Sequence, residues 1–599
     1  MQEIEKVELL YSDIIANQAT INIGCIGHVS EGKSTVVRSL TGTTTQRHKK
    51  EQDSNRTIKL GYANFKIWYD PDRSETYHTP SNITELLHPV NKNKLTLVKH
   101  VSFVDCPGHE TFMATMVSGT SVMDAAILLI GANNETVPQR QTHEHLKALN
   151  KTDVKDVLVL QNKVDLLKSE EEAIANRDKI VNYLKTIDRE SVIMPVSAQY
   201  GTNMDQVCSY ITNNIQQRDR NLNQDLFLPI IRSFDVNKPG ITRDELKGGI
   251  IGGSVSKGVL RVGDYVEIRP GVEQTIDGKR CFTPLITQVE SIKSETNEIK
   301  YAIPGGLIGI GTNLDPYLCG ANRLVGQVLG HPGRMPNVYE KLKIDFEDFL
   351  VNNMSFLDFK RGESIVMCVN NYICKATITP GIKATTIIPV KPICCKTGQK
   401  MAIFQDNYGK FNLVAIAKIT SGTKCSEFVL PENYDSYKSA KQYEYTLKYD
   451  LPESCSFERE SFDYETMLQR FTFVNKVYKL QVPIPKVQRE NKRVYLVNAM
   501  DIIRCVHKDH NCDKSCFDYK DLFLTYFNNE LLKTCRYSND DYIIIEGIFR
   551  PQQIESIVRK YINYYVLCKT CNSFNTGLSR VGQTIKCECR DCTTKISVD

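Results

Sequence analysis

Ile21-Asn22-Ile23-Gly24-Cys25-Ile26 runs without a break into Gly27-His28-Val29-Ser30-Glu31-Gly32-Lys33-Ser34-Thr35. The first six residues read as a buried strand, and the run after Thr35 reads as a helix. Between them lies the pattern G-x-x-x-x-G-K-[ST]. Its glycines let backbone N–H groups curl around phosphate oxygens. Lys33 brings a point charge to the β/γ-phosphates, and Ser34 offers a hydroxyl to Mg²⁺. A chance glycine-rich turn is the bland alternative, and the strand–loop–helix context disfavours it.

Working outward, apolar runs at 101–105, 125–131, 157–161 and 191–196 read as further buried strands, each followed by room for a helix. That alternation is the sequence form of a doubly wound parallel sheet. The strand ends carry chemistry in a consistent order. Thr57 offers a second hydroxyl for Mg²⁺. Asp105 opens DCPGH, with Gly108 free to face a γ-phosphate. Asn162-Lys163-Val164-Asp165 places a carboxylate for the guanine N1–H and amine, donors that adenine lacks. Ser197-Ala198-Gln199 presents a backbone N–H to the base oxygen. Singly, an Asp after a strand is more often a helix cap; five in register indicate a GTP-binding domain. The expected nucleotide residues are Gly27, Ser30, Glu31, Gly32, Lys33, Ser34, Thr35, Gly108, Asn162, Lys163, Asp165, Ser197, Ala198 and Gln199. Ser34, Thr57 and Asp105 are the expected Mg²⁺ ligands, and His109 the residue that orients the hydrolytic water.

The remainder of the 599 residues extends the architecture. The fold class expected is multidomain α/β plus β: a P-loop GTPase domain at 21–218 after an N-terminal tail at 1–20, then two small β-barrels at 225–335 and 336–425. A linker at 426–455 and a region at 456–480 that holds an amphipathic helix over about 464–474 lead to a mixed α/β core at 481–560 and a zinc ribbon at 561–599. The ribbon reading rests on Cys568-x2-Cys571 and Cys589-x2-Cys592, seventeen residues apart. Paired CxxC knuckles form a closed, all-thiolate structural Zn²⁺ site; Cys587 is read as a bystander. His507, His510, Cys512 and Cys516 form a looser set, better suited to a polar loop.

Hydrophobic residues at 41% and charged residues at 24% describe an ordinary globular chain, and a net charge of +5 is too small to require a nucleic-acid partner. The longest apolar run, at 125–132, is far short of the roughly 20 residues that cross a membrane, so no membrane partner is expected. Met1-Gln2-Glu3-Ile4-Glu5-Lys6 does not resemble a secretory signal. With no such signal, the 20 cysteines point to a reducing, cytoplasmic location.

With these residues in place, roughly the first 430 positions resemble the gamma subunit of eukaryotic and archaeal translation initiation factor two. The resemblance is carried by TIKLGYAN (57–64), HVSFVDCPGH (100–109), IRSFDVNKPG (231–240) and PGGLIGIGT (304–312). The last 140 or so resemble the beta subunit of the same factor, through FDYETMLQR (462–470) and IIEGIFRPQQIESIVRKYINYYVLCKTC (544–571). The resemblance implies a GTPase that carries methionylated initiator tRNA to the small ribosomal subunit and hydrolyses GTP on start-codon selection. It also implies a beta-type helix that docks on the GTPase domain, here in cis. Its cofactors are GTP/GDP, Mg²⁺ and Zn²⁺, and its further partners an alpha subunit, a GTPase activator and an exchange factor. Three departures stand out. Ser30-Glu31 replaces the usual Ala-His or Asp-His, which sets a carboxylate beside the phosphates, an arrangement expected to repel them. Positions 68–100 hold no cysteine knuckle. The lysine-rich blocks through which beta subunits recruit the activator and exchange factor are absent. These departures motivate a second reading, a catalytically impaired decoy or scaffold that sequesters initiator tRNA or factor subunits.

Overall fold

The computed structural model describes the chain except residues 1–3, 46–59, 89–91, 109–111, 121, 151–153, 155, 217–220, 239, 277, 350–357, 382–383, 408–409, 439–441, 456, 472–482, 484, 491–492, 508–518, 532, 540, 568–575, 582–583, 590–594 and 598–599. It divides into two units, Met1–Phe473 and Val474–Asp599. Among the described residues no helix is long and apolar enough to cross a membrane.

The first unit begins with strand β1 (Ile4–Leu10) and a helix, Tyr11–Asn17. A seven-stranded sheet follows, built from β2 (Ile21–Gly27), β3 (Gly61–Asp70), β4 (Glu75–Pro80), β5 (Thr96–Asp105), β6 (Ala125–Gly131), β7 (Asp156–Asn162) and β8 (Ile193–Pro195). Its order is β4-β3-β5-β2-β6-β7-β8. Strands β5, β2, β6, β7 and β8 are mutually parallel, while β3 runs antiparallel to β5 and β4 to β3. Strands β2 and β6 are buried along their whole length, as expected of a sheet covered on both faces. Because the five strands are parallel, their C-terminal ends, and the loops that follow, share one edge.

Two barrels complete the three-domain body. In the first, strands Leu228–Phe234, Ile250–Ser254, Tyr265–Ile276, Lys279–Ser294, Leu307–Thr312 and Val328–Gly330 close a six-membered ring. In the second, Val338–Phe349, Glu363–Val369, Tyr372–Thr379, Thr385–Pro389, Lys400–Asn407 and Lys410–Lys424 do the same. Closure removes the unpaired edges that short antiparallel strands otherwise expose. The first barrel meets the nucleotide-type domain through the glycine pair in 304–312. The Gly306 amide donates to the Ala19 carbonyl at 2.7 Å, and the Asn22 amide to the Gly305 carbonyl at 2.7 Å. A Cβ on Gly305 would lie 2.3 Å from the Ala19 oxygen, so the two backbones can approach only because that residue is glycine.

Two segments are more ordered than the sequence suggests. The tail expected at 1–20 holds the strand Ile4–Leu10 and the helix Tyr11–Asn17. The linker at 426–455 holds the strand Gln442–Lys448, which pairs parallel to β1 from Ile4↔Gln442 to Leu10↔Lys448. Its anchors follow the strand period within Gln442–Lys448, where Tyr443, Tyr445 and Leu447 are half-buried, and are widely spaced outside it. Tyr434 donates to Glu267 in the first barrel at 2.7 Å, Tyr445 and Leu447 join a cluster with Leu9, Leu222, Val259 and Ile303, and Cys455 enters the core of the parallel-sheet domain.

The second unit contains a four-stranded antiparallel sheet, Val487–Glu490, Arg493–Leu496, Ile543–Glu546 and Cys535–Tyr537 in that order. Helices Ala499–Val506, Tyr519–Leu531 and Pro551–Tyr565 belong with it, their inward residues Ile503, Phe523, Phe527, Ile554 and Tyr561 sharing one core with the sheet. Strands Thr576–Val581, Thr584–Cys589 and Lys595–Ser597 form a separate antiparallel sheet.

Candidate functional site

The C-terminal edge of the parallel sheet gathers most of the residues singled out above. After β2 the chain turns through three left-handed or near-left-handed positions, Gly27 (φ 141°), Ser30 (φ 66°) and Gly32 (φ 98°), before the helix Lys33–Thr41. Gly32 admits no other residue. Its φ is costly for any side chain, and a Cβ there would sit 2.2 Å from the Asn162 amide nitrogen. Such a curl turns successive N–H groups inward, the geometry that holds anions at a helix N-terminus.

Lys33 is buried, and its Nζ donates to the carbonyls of Gly27 at 2.9 Å and His28 at 2.5 Å. Burial lowers its pKa below the usual lysine value, against the opposing pull of the Asp105 and Glu31 carboxylates. Gly108 packs against this lysine: a Cβ at 108 would come within 2.4 Å of Nζ. Asp105, fully buried at the end of β5, accepts from the Ser34 hydroxyl at 2.7 Å and the Thr45 hydroxyl at 2.6 Å, both through Oδ2. A carboxylate with two hydroxyls is the all-oxygen donor set that suits a hard divalent cation. Thr35 follows within the helix.

Asn162, at the end of β7, ties three loops together. Its Nδ2 donates to the Glu31 carbonyl at 2.8 Å, and its Oδ1 accepts the Ala198 N–H at 3.1 Å. Lys163 takes a positive φ of 66°, which turns the chain into the short 3-10 turn Val164–Leu166 and leaves Asp165 exposed. Ser197 exchanges backbone hydrogen bonds with Thr202, closing the loop that carries Ala198 and the exposed Gln199.

Glu31 lies elsewhere than its place in the motif suggests. Its side chain is 3% exposed, turned toward the end of β6, and its Oε1 accepts from Asn134 Nδ2 at 2.8 Å. A Cβ on Gly131 would lie 2.5 Å from its Oε2.

Thr57 and His109 fall outside the described residues, as do Cys568, Cys571 and Cys592; Cys589 ends the strand Thr584–Cys589. Cys587 packs with Leu578 in a small apolar cluster. Of the looser set, His510, Cys512 and Cys516 lie outside, whereas His507 stacks on Tyr519 with ring centroids 4.1 Å apart and pairs with the Tyr561 hydroxyl at 3.0 Å. Among the described residues no three His, Cys, Asp or Glu side chains cluster in a way that could hold a metal.

Four residues of the site had no sequence signal. Thr45 sits in an unpatterned threonine run. Asn134 follows a strand without a motif. Gln161 reads as a polar interruption of β7. Asn203 precedes the helix Met204–Asn213 with φ 64°. Its amide reaches the Pro195 carbonyl at 2.7 Å and the Met467 carbonyl at 2.9 Å. The second bond also corrects the docking helix, which spans Tyr464–Leu468 rather than running to 474. The Met467 carbonyl accepts from Asn203 and from the Arg470 N–H, and the Phe471 N–H turns to Leu468, so the i→i−4 ladder stops there.

Comparison with known proteins agrees with this geometry. Residues 18–217 match the family described as the elongation factor Tu GTP binding domain and 248–330 elongation factor Tu domain 2, while 472–595 match the domain found in initiation factors 2B and 5. The chain is 42% identical over 444 residues to eukaryotic translation initiation factor 2 subunit 3 of Drosophila melanogaster, covering 70% of this chain and 92% of that one. It is likewise 42% identical over 442 residues to the subunit gamma of that factor from Schizosaccharomyces pombe, covering 70% and 98%. In fold it is similar to a bacterial selenocysteine-specific elongation factor, EF-Sec, with a TM-score of 0.51 at 19% identity over 90% of this chain and 81% of that one.

Proposed function

Because this chain belongs to the family of the eukaryotic translation initiation factor 2 gamma subunit and is a GTPase of translation initiation, we propose that it is a GTP-dependent carrier of methionylated initiator tRNA. In this reading it delivers the tRNA to the small ribosomal subunit and hydrolyses GTP when a start codon is selected. It combines gamma-type and beta-type parts in one cytoplasmic chain, and an alpha subunit, a GTPase activator and an exchange factor are its further partners.

The observation that carries the reading is the convergence at one sheet edge of Lys33, the Ser34–Asp105 pair and the Asn162 bridge. In the proposed roles, the backbone of Gly27, Ser30, Glu31, Gly32 and Thr35 cradles phosphate oxygens, and Lys33 moves from its loop carbonyls to the β/γ-phosphates. Ser34, Thr57 and Asp105 hold Mg²⁺, which supplies charge neutralisation at the phosphates. Gly108 leaves space for the γ-phosphate, and His109 orients the attacking water. Asp165 and Lys163 read guanine, with Ser197, Ala198 and Gln199 closing over the base oxygen. Cys568, Cys571, Cys589 and Cys592 hold a structural Zn²⁺, a role supported by the antiparallel hairpin that sets Cys589 opposite Thr576, shortly after Cys571 in the chain.

The decoy reading is not favoured, since Lys33, Ser34, Thr57, Asp105, His109, Asn162 and Asp165 are all intact in the sequence. The test is filter binding of methionylated initiator tRNA against elongator methionyl-tRNA, each with GTP and with GDP. Initiator tRNA should bind preferentially, and more tightly with GTP. Equal binding of both tRNAs in both nucleotide states would sink the proposal.

A further inference from the structure

The segment at 457–471 does more than lie on the nucleotide-type domain. Tyr464 is 4% exposed, and its hydroxyl donates to the Oε1 of Gln161, the buried residue immediately before Asn162. The same Gln161 donates through Nε2 to the Ala173 carbonyl and Asn176 Oδ1, each at 2.9 Å. Three residues later, the Met467 carbonyl receives the Asn203 amide, whose other proton goes to Pro195 at the end of β8. Met467 itself packs in the core with Met194, Val196, Ala198 and Met204. One short helix therefore touches, from behind, both loops assigned to the base: one through Gln161 beside Asn162, the other through Asn203 and the packing under Ala198.

We propose that Tyr464 is a positioning residue for guanine binding, and that docking of the helix Tyr464–Leu468 sets how long a guanine nucleotide stays bound. The inference rests on the nucleotide-site reading above. When the helix is docked, the Gln161 amide and the Asn203 amide nitrogen are committed to fixed partners, and Asn162 and Ala198 inherit that order. When it leaves, a buried amide oxygen and an amide proton lose their partners, a cost that falls first on these two loops. The beta-type segment thus becomes a cis-acting control on nucleotide exchange, and anything that competes for the helix opens the base side of the site first.

The experiment uses the full chain with a fluorescent GDP analogue for dissociation rates, and GDP against inosine diphosphate, which lacks the exocyclic amine, for equilibrium affinities. Tyr464→Phe removes only a hydroxyl. It should speed GDP dissociation about fivefold to tenfold and lower the GDP-to-inosine-diphosphate preference, with the thermal unfolding midpoint of the domain little changed. Asn203→Gly keeps the positive φ and should act in the same direction by an independent route. Dissociation within twofold of wild type in both variants would overturn the proposal, as would equal losses for both nucleotides, which mark a merely structural defect. If the unmodified chain fails to bind GDP at all, the underlying nucleotide reading fails instead, so the two failures are distinguishable.

Discussion

Replacing Asn162 by aspartate changes one atom at the busiest junction of the site. The nitrogen that donates to the Glu31 carbonyl at 2.8 Å becomes an oxygen of nearly the same size, so packing is preserved and only hydrogen bonding is perturbed. The side chain is 3% exposed. An ionised carboxylate there faces a carbonyl oxygen with no proton between them, and an orphaned buried acceptor costs about 1–3 kcal/mol. A protonated carboxyl restores a donor. The folded state therefore holds the new group's proton more tightly than the unfolded chain does, and its pKa rises above the unfolded value of about 3.9. With a rise of about two units, at about 1.4 kcal/mol per unit, the variant loses about 2.7 kcal/mol more at pH 8 than at low pH. The sign follows from proton counting. Between the unfolded and folded pKa values the folded state binds more protons, so stability relative to wild type falls as pH rises through that window and is flat above it. The single tryptophan, Trp68, lies 2% exposed on β3 of this same domain and donates to Thr79 at 2.8 Å, so its fluorescence reports this domain's unfolding. Guanidinium unfolding of wild type, Asn162→Asp and Asn162→Ala at pH 5 and pH 8 supplies the comparison. Asn162→Asp should be clearly less stable relative to wild type at pH 8 than at pH 5, while Asn162→Ala should show the same deficit at both. An equal deficit for Asn162→Asp at both values would refute the donor assignment at this junction.

Three other outcomes are expected. Gly108→Ala forces a methyl to within 2.4 Å of Lys33 Nζ and 2.8 Å of the Gly27 carbonyl, and should weaken GTP binding at least about tenfold by calorimetry; wild-type affinity would show that Lys33 has room to spare. Tyr434→Phe takes the hydroxyl from Glu267, itself fully buried beside Arg269, and from the Gly333 N–H at 2.7 Å. It should cost about 2–4 kcal/mol in the first barrel's unfolding, and a loss below about 0.5 kcal/mol would mean that this hydroxyl is not structural. If the proposed zinc site is present, Cys571→Ser should release its zinc, read by a colorimetric chelator, and unfold only the C-terminal hairpin sheet; retained stoichiometric zinc would remove Cys571 from the ligand set.

The parts of the fold that are legible from sequence are those where one chemical demand fixes several residues at once. The phosphate loop needs glycines at 27 and 32 and a lysine at 33 at fixed spacing, and buried parallel strands need uninterrupted apolar runs, so β2, β5, β6 and β7 fall close to where the residues place them. What is not legible depends on partners distant in sequence. The strand at 442–448 does alternate, with Tyr443, Tyr445 and Leu447 half-buried and Glu444, Thr446 and Lys448 exposed, but nothing in those residues names β1, far upstream, as the strand it pairs with. The motif alone does not show that the Glu31 carboxylate finds a donor in Asn134, 103 residues away, while still acting on Lys33. The early end of the docking helix has the same origin, since an asparagine 264 residues upstream claims a carbonyl that local reasoning reserves for the helix.

The pairing of β1 with Gln442–Lys448 has a consequence for biosynthesis. Ser12 and its partner Asp450 are separated by 438 positions, and the whole three-domain body lies between them. At about 5–20 residues per second, β1 waits roughly 20–90 seconds after its synthesis for the strand that completes it. During that interval it offers an unpaired edge, guarded by Glu5, Lys6 and Glu8, of which Lys6 and Glu8 later pair with Glu444 and Lys448. A chain cut just before residue 442 keeps every nucleotide motif yet never closes this seam. The shortest recombinant version of the GTPase body therefore ends beyond Asp450, inside what the primary structure presents as a connector.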